Sequence, residues 1–266
     1  MDSNWLCLQT LKNTEQWDRS LTTYYPQAKL WMKDSVSYFK HLTEVCNYLN
    51  ATKLVDWDKY IVNDAMILDI GCGGGWLTGY LSKNSKVRKI IAIDSSANYI
   101  DNYLPGVVSQ LSGDMYKIQT VQGLFAPILL DSESVDAIVI SSALHHADSL
   151  SGVLEEFKRV LKPNSYLIIL NETPGGNFRF IYQQLRSVVK MFAFSIFRVF
   201  RPFSQKISAG SFLYDPYLGD VDYPPWYWKK AINVSGFDLI EFFDTKLPTI
   251  SNSKGRSLKH FICKKK

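Results

Sequence analysis

The sequence predicts an α/β protein, a three-layer sandwich in which a mostly parallel sheet is covered by helices on both faces. Three observations carry that expectation. An apolar run from Ile67 to Ile70 breaks into a glycine turn, Gly71 to Gly75, and a helical pattern follows from Trp76. Short runs rich in β-branched residues then recur, and helical candidates fall between them. Strands that are apolar on both sides and alternate with helices belong to parallel sheets buried on both faces. With 266 residues, 46% of them apolar, the chain is long enough for one full core with an added subdomain.

From the N-terminus, Ala28 to Asn50 sets Leu30, Trp31, Tyr38, Phe39, Leu42, Val45, Cys46 and Leu49 at helical spacing, so residues 1–60 read as a helical cover. The sheet begins near Met66 and continues with Lys89 to Asp94, Ile118 to Val121, Val135 to Ser141 and Ser165 to Asn171. Helices are expected over Trp76 to Asn84, Asn98 to Leu111 and Leu150 to Leu161. After Asn171 the alternation stops for over sixty residues, then resumes with strands at Phe237 to Phe243 and Leu258 to Cys263. The interval 174–234 reads as an insertion on the ligand face, because such sheets bind at the carboxyl ends of their strands.

Composition narrows the function classes. No apolar run reaches the roughly 18 residues of a membrane span, and the acidic start at Asp2 does not resemble a secretory signal. A cytoplasmic location is the expectation. Cys7, Cys46, Cys72 and Cys263 are scattered, and His145 and His146 stand apart from His41 and His260, so no zinc site or other metal site is expected. The net charge of +5 is concentrated: residues 177–210 hold six basic side chains (Arg179, Arg186, Lys190, Arg198, Arg201, Lys206) and no acidic one.

The glycine turn reads as a cofactor cradle, because bare backbone lets a ligand approach and tolerates positive φ. It is not a dinucleotide fingerprint, since the third glycine of G-x-G-x-x-G would fall on Trp76 or Thr78, and it lacks the lysine of a phosphate-binding loop. Asp94 ends the second strand, nineteen residues after Gly75, where a carboxylate can accept both hydroxyls of a ribose. The plainer reading is a turn acid ahead of Ser95 and Ser96. A ribose-bearing cofactor fits the two features together.

Residues 66–172 resemble the class I methyltransferases that use S-adenosylmethionine, in particular the small-molecule branch related to ubiquinone and menaquinone methylases. The strings that carry the likeness are Ile67 to Gly75, Ile91 to Ser96, Val121 to Gly123, Ser134 to Val139, Leu144 to His146 and Glu156 to Pro163. The resemblance implies a seven-stranded sheet of order 3-2-1-4-5-7-6 with the last strand antiparallel. It also implies that Gly71, Cys72, Gly73 and Gly75, helped by Asp69, hold the methionine and ribose portion. Asp94 and Ser95 would meet the ribose, Gly123, Leu124 and Phe125 the adenine, and Ser141 would complete the cofactor set. The family often has an acid after the glycine at 123; here Leu124 stands there, so backbone and apolar contacts are expected instead.

Methyl transfer to an alcohol or phenol benefits from a base, and His145 and His146 follow the fourth strand on the ligand side. Adjacent residues point apart, so at most one of the two is expected to act on the acceptor; structural roles for both are the alternative. Asp148 would orient one of them or cap the helix from Leu150. In the insertion, residues 178–203 combine seven phenylalanines with a stripe of Arg179, Gln183, Arg186, Lys190 and Arg201. That pattern fits a helix lying over the pocket, or a cationic interfacial helix that makes peripheral membrane contact with anionic lipid or a lipid-linked substrate. An anionic soluble acceptor is a third reading, and nucleic acid is not expected. A second aromatic cluster (Phe212, Tyr214, Tyr217, Tyr223, Trp226, Tyr227, Trp228) carries Pro216, Pro224 and Pro225, which argue against regular helix there. Trp17, Tyr24, Tyr25, Trp31 and Tyr38 would complete the cover. The expected function is methylation of a small molecule, at oxygen foremost, with S-adenosylhomocysteine as product. A quinone or lipid-linked acceptor, and a cofactor-binding module without catalysis, are the rivals.

Overall fold

The computed structural model describes residues 5–6, 28–147, 149–178, 180–182, 184–185, 189, 223–249 and 256–266. Its centre is a seven-stranded sheet of β1 (Ala65–Ile70), β2 (Val87–Asp94), β3 (Ile118–Gln122), β4 (Val135–Ser141), β5 (Leu161–Glu172), β6 (Phe237–Pro248) and β7 (Ser257–Lys265). The order is β3-β2-β1-β4-β5-β7-β6, and β7 runs antiparallel to both of its neighbours while β1 to β5 are parallel. Order and direction are those the resemblance implied.

The central strands are mostly apolar because both their faces are covered. Leu68, Ile70, Ile91, Ile93, Ile138 and Ile140 face one layer, with Val153, Leu154 and Phe157 of a helix packed on them. Ile67, Ile90, Val139, Ile168 and Leu170 face the other, under Tyr38, Leu77, Leu81 and Val107. Ile70 pairs with Ile93 on one side and Ile140 on the other. The carboxyl ends of β1, β2 and β4 are therefore level, and the turns that leave them share one edge of the sheet.

The helices are α1 (Ala28–Trp31), α2 (Ser35–Lys40), α3 (Tyr48–Thr52), α4 (Trp57–Tyr60), α5 (Trp76–Ser82), α6 (Leu104–Gln110), α7 (Leu150–Val160) and α8 (Pro225–Val234). The continuous helix expected over 28–50 is broken. Asp34 ends the first piece by capping the second, its carboxylate accepting from Ser37 N at 2.7 Å. A π-helical turn at His41–Val45 follows, and Asn47 at φ 61° restarts the chain, its amide donating to Pro248 O at 2.8 Å. Short polar side chains that bond locally make such breaks inexpensive.

The expectation against helix around Pro224 and Pro225 is also corrected. Pro225 begins α8, where a missing N–H is harmless and a fixed φ helps. Helix α7 is capped by Ser149 Oγ, which accepts from Gly152 N at 3.2 Å; Asp148, the expected cap, lies outside the described residues. So do Trp17, Tyr24, Tyr25, Phe212, Tyr214, Tyr217 and most of 178–203. Within the described part of that segment, Phe180 is buried against Tyr223, Trp226 and Tyr227. Phe178, Ile181, Tyr182, Leu185 and Val189 are exposed. Among the described residues no helix is long and apolar enough to cross a membrane.

Candidate active site

The glycine turn leaves β1 with φ of 65°, 52° and 76° at Gly71, Gly73 and Gly75. A Cβ on Gly71 would lie 2.7 Å from the Cβ of Ala143 and 3.2 Å from the Phe125 ring. The turn, the segment after β3 and the segment after β4 thus meet at one point, where only bare backbone fits. Asp94 holds the turn from the side. Its Oδ2 accepts from Gly73 N at 2.8 Å and its Oδ1 from Ser96 N at 2.9 Å. Gly123 donates its N–H to Asp94 O at 2.9 Å, and Gln122 Nε2 donates to Ser95 O at 3.0 Å, so these two turns are tied together.

Of the residues expected at the cofactor, Gly71, Cys72, Gly73, Gly75, Asp94, Ser95, Gly123, Leu124 and Phe125 gather at this edge. Asp69 and Ser141 are placed differently. Asp69 is buried beneath the turn with its carboxyl taken by Thr78 Oγ1 at 2.5 Å, which ties α5 to β1. Ser141 Oγ accepts from Asn171 Nδ2 of β5 at 2.9 Å.

Beyond Ala143 the chain makes a 3-10 turn, Leu144–His146. There the sequence reading missed a residue. Glu172, at the end of β5 and 1% exposed, accepts from His145 Nδ1 at 2.8 Å and from Leu144 N at 3.0 Å. A carboxylate only accepts, so Nδ1 is the nitrogen that donates to it. His146 lies beside His145, ring centroids 4.3 Å apart, but Glu172 binds only the first. Tyr48 of α3, also missed, reaches the same turn through Ser142 Oγ at 2.8 Å.

Behind Glu172 runs a buttress: Asn171 N donates to His260 Nδ1 at 3.1 Å, and His260 Nε2 donates to Ala51 O at 3.0 Å. Burial pushes the His260 pKa down, so this ring stays neutral and is a structural histidine.

Residues 68–169 match a family described as Methyltransferase domain. The chain is 31% identical over 115 residues to a ubiquinone biosynthesis O-methyltransferase of Xanthomonas oryzae pv. oryzae, which covers 42% of this chain and 46% of that one. It spans about half the length of the curated relatives it matches. Among solved structures, an S-adenosylmethionine-dependent methyltransferase from Aquifex aeolicus superposes with a TM-score of 0.52 at 18% identity, covering 84% of this chain and 92% of that one. Geranyl diphosphate C-methyltransferase from Streptomyces coelicolor gives 0.57 at 12% identity, covering 82% and 76%.

The chain has the class I methyltransferase fold. The test of fit to an adenosyl cofactor is the cradle itself. Three positive-φ glycines, a wall at Phe125 and Ala143 that a Cβ at Gly71 would strike, and a carboxylate bound to the turn suit an adenosyl cofactor. No pyrophosphate-sized glycine loop is present in this stretch.

The methyltransferase turn also carries a pH signature. Burial pushes the Asp69 carboxyl up to about 7, with the Asp94 charge adding to the rise and the Thr78 hydrogen bond opposing it. Between about pH 4, where an unfolded aspartate ionises, and about 7, the folded chain keeps a proton that the unfolded chain has lost. This group's contribution to stability is full below that window, falls as pH rises through it, and levels off above. Asp69→Asn keeps an oxygen acceptor for Thr78 and removes the titration. Relative to the native chain, the variant is expected to gain stability on the order of a few kcal/mol between pH 5 and 8. Thermal unfolding of both proteins across that range checks it; parallel curves would refute it.

Proposed function

We propose that the protein transfers a methyl group from S-adenosylmethionine to an oxygen on a small molecule, with His145 receiving the acceptor's proton. The observation that carries this reading is the hydrogen bond from His145 Nδ1 to buried Glu172, on the turn whose Ala143 abuts Gly71. When bound, the cofactor supplies an electrophilic methyl on a sulfonium and leaves as S-adenosylhomocysteine. The glycine turn and Asp94 hold it, and Phe125 shields it. Glu172 orients the His145 ring with Nε2 as the basic atom and stabilises the imidazolium that forms on proton transfer. An amine acceptor needs no such pair, so the geometry favours a hydroxyl. The likeness to a relative named as a ubiquinone biosynthesis O-methyltransferase points the same way.

Calorimetry tests the reading. S-Adenosylhomocysteine is expected to bind and NAD is not; the reverse would overturn it. Methylation of a phenolic or catecholic acceptor from a screened panel then separates an enzyme from a cofactor-binding module, which would bind without turnover on any acceptor.

A membrane-surface acceptor is favoured by one further observation. Phe178, Ile181, Tyr182, Leu185 and Val189 are exposed at helical spacing, in a segment whose charges are all basic. Flotation with phosphatidylglycerol vesicles is expected to carry the protein, and glutamate at Arg179, Arg186 and Lys190 together is expected to abolish it. A protein that stays in solution with anionic vesicles removes this reading and leaves the first intact.

A further inference from the structure

The N-terminal cover contributes a side chain to the glycine turn itself. Tyr38, in α2, is 6% exposed, and its hydroxyl oxygen accepts from Gly74 N at 3.0 Å. The contact is close along the whole turn. A Cβ on Gly73 would come within 2.7 Å of the Tyr38 hydroxyl, and one on Gly74 would strike its ring. Three rings fix the side chain: Trp31, Tyr99 and Tyr103 at centroid distances of 6.1, 5.5 and 5.3 Å. The Tyr103 hydroxyl is itself committed to Met32 O at 2.6 Å.

A phenol both accepts and donates. Tyr38 accepts from Gly74, but among the described residues no acceptor lies within hydrogen-bond reach of its own O–H. A buried donor without a partner costs free energy, and this one is held at the turn that cradles the cofactor in the reading above. Burial keeps the phenol protonated, and the neighbouring Asp94 charge adds to that effect, so it retains a proton to offer. What a donor at this position lacks is an acceptor. The strongest acceptor on the cofactor is the carboxylate at its amino-acid end.

We propose that Tyr38 is a cofactor ligand whose hydroxyl donates to the carboxylate of the methionine portion while accepting from Gly74. This rests on the adenosyl-cofactor reading and goes beyond it by assigning the recognition of one end of the molecule to the N-terminal cover. The cover is then part of the binding site and discriminates the full cofactor from its breakdown product lacking the amino acid.

The test compares Tyr38→Phe with the native chain by calorimetry, using S-adenosylhomocysteine and 5′-methylthioadenosine, which has the nucleoside but no carboxylate. The variant keeps the ring and its packing. It is expected to bind S-adenosylhomocysteine roughly tenfold or more weakly, the range of a hydrogen bond to a charged group, and to bind 5′-methylthioadenosine as the native chain does. Equal weakening of both ligands would show that the hydroxyl only props the turn through Gly74, and unchanged affinity for both would show that it does nothing for binding; either overturns the assignment while leaving the proposed function standing. A native chain that binds neither ligand takes both down together.

Discussion

Asp94→Ala is expected to weaken S-adenosylhomocysteine binding roughly a hundredfold, the combined size of two hydrogen bonds to a charged acceptor. Two effects add. The carboxylate that would receive the ribose hydroxyls disappears, and Gly73 N loses the 2.8 Å bond that holds the turn against β2. The Ser96 amide loses its acceptor as well, so the turn after β2 loosens together with the one after β1. Asp94→Asn separates these contributions, because an amide oxygen still accepts from one backbone N–H. It is expected to fall between the alanine variant and the native chain. The measurement is calorimetric affinity, with far-ultraviolet circular dichroism to confirm the fold. An affinity unchanged in Asp94→Ala would mean the pocket is not used as proposed.

The second large effect belongs to the acceptor end. His145→Ala is expected to lower kcat by about two to four orders of magnitude, the usual contribution of a positioned base, with cofactor affinity unaltered. His146→Ala is expected to retain most activity, since Glu172 binds only His145. Glu172→Gln is the sharper variant. Its amide oxygen can still accept from Leu144 N, so the turn keeps its shape, but its NH2 group facing Nδ1 donates. That drives the imidazole proton to Nε2 and removes the lone pair that faces the acceptor. The expected signature is a fall in kcat with little change in KM, and partial recovery in Glu172→Asp, whose shorter carboxylate still sets the tautomer. Were His146→Ala the more damaging of the two histidine changes, the assignment of the base would be wrong.

Much of this molecule was legible before any coordinates. The central strands announced themselves because burial on both faces demands mostly apolar side chains, and Val135–Ser141 is the strand in both readings. Asp94 was visible as a carboxylate closing an apolar run, and in the structure it accepts from Gly73 N and Ser96 N. Glu172 was not, although it also closes an apolar run. Its role depends on the pairing of Ser141 with Leu170, which sets the end of β5 beside the turn after β4, and a register between strands thirty residues apart leaves no local trace. The breaks at Asp34 and Asn47 were hidden differently. Apolar spacing continues across them, and only the side-chain bonds to Ser37 N and Pro248 O reveal them. Pro225 misled because proline forbids helix interiors yet favours helix starts.

The position of β7 in the sheet has a consequence for how the protein comes into being. Strand β6 pairs only with β7, and β7 sits between it and β5, so the later-made strand must slot inside the earlier one. Residue Glu172 pairs across to Lys259, and the neighbouring Asn171 amide is held by His260. On the ribosome, where the chain emerges from its N-terminus, the glycine turn and its aspartate have every partner strand they need long before the glutamate does. A half-made chain thus has the glycine turn in place while the end of β5 still lacks its rear support, and the site is complete only when the last strand of the sheet arrives.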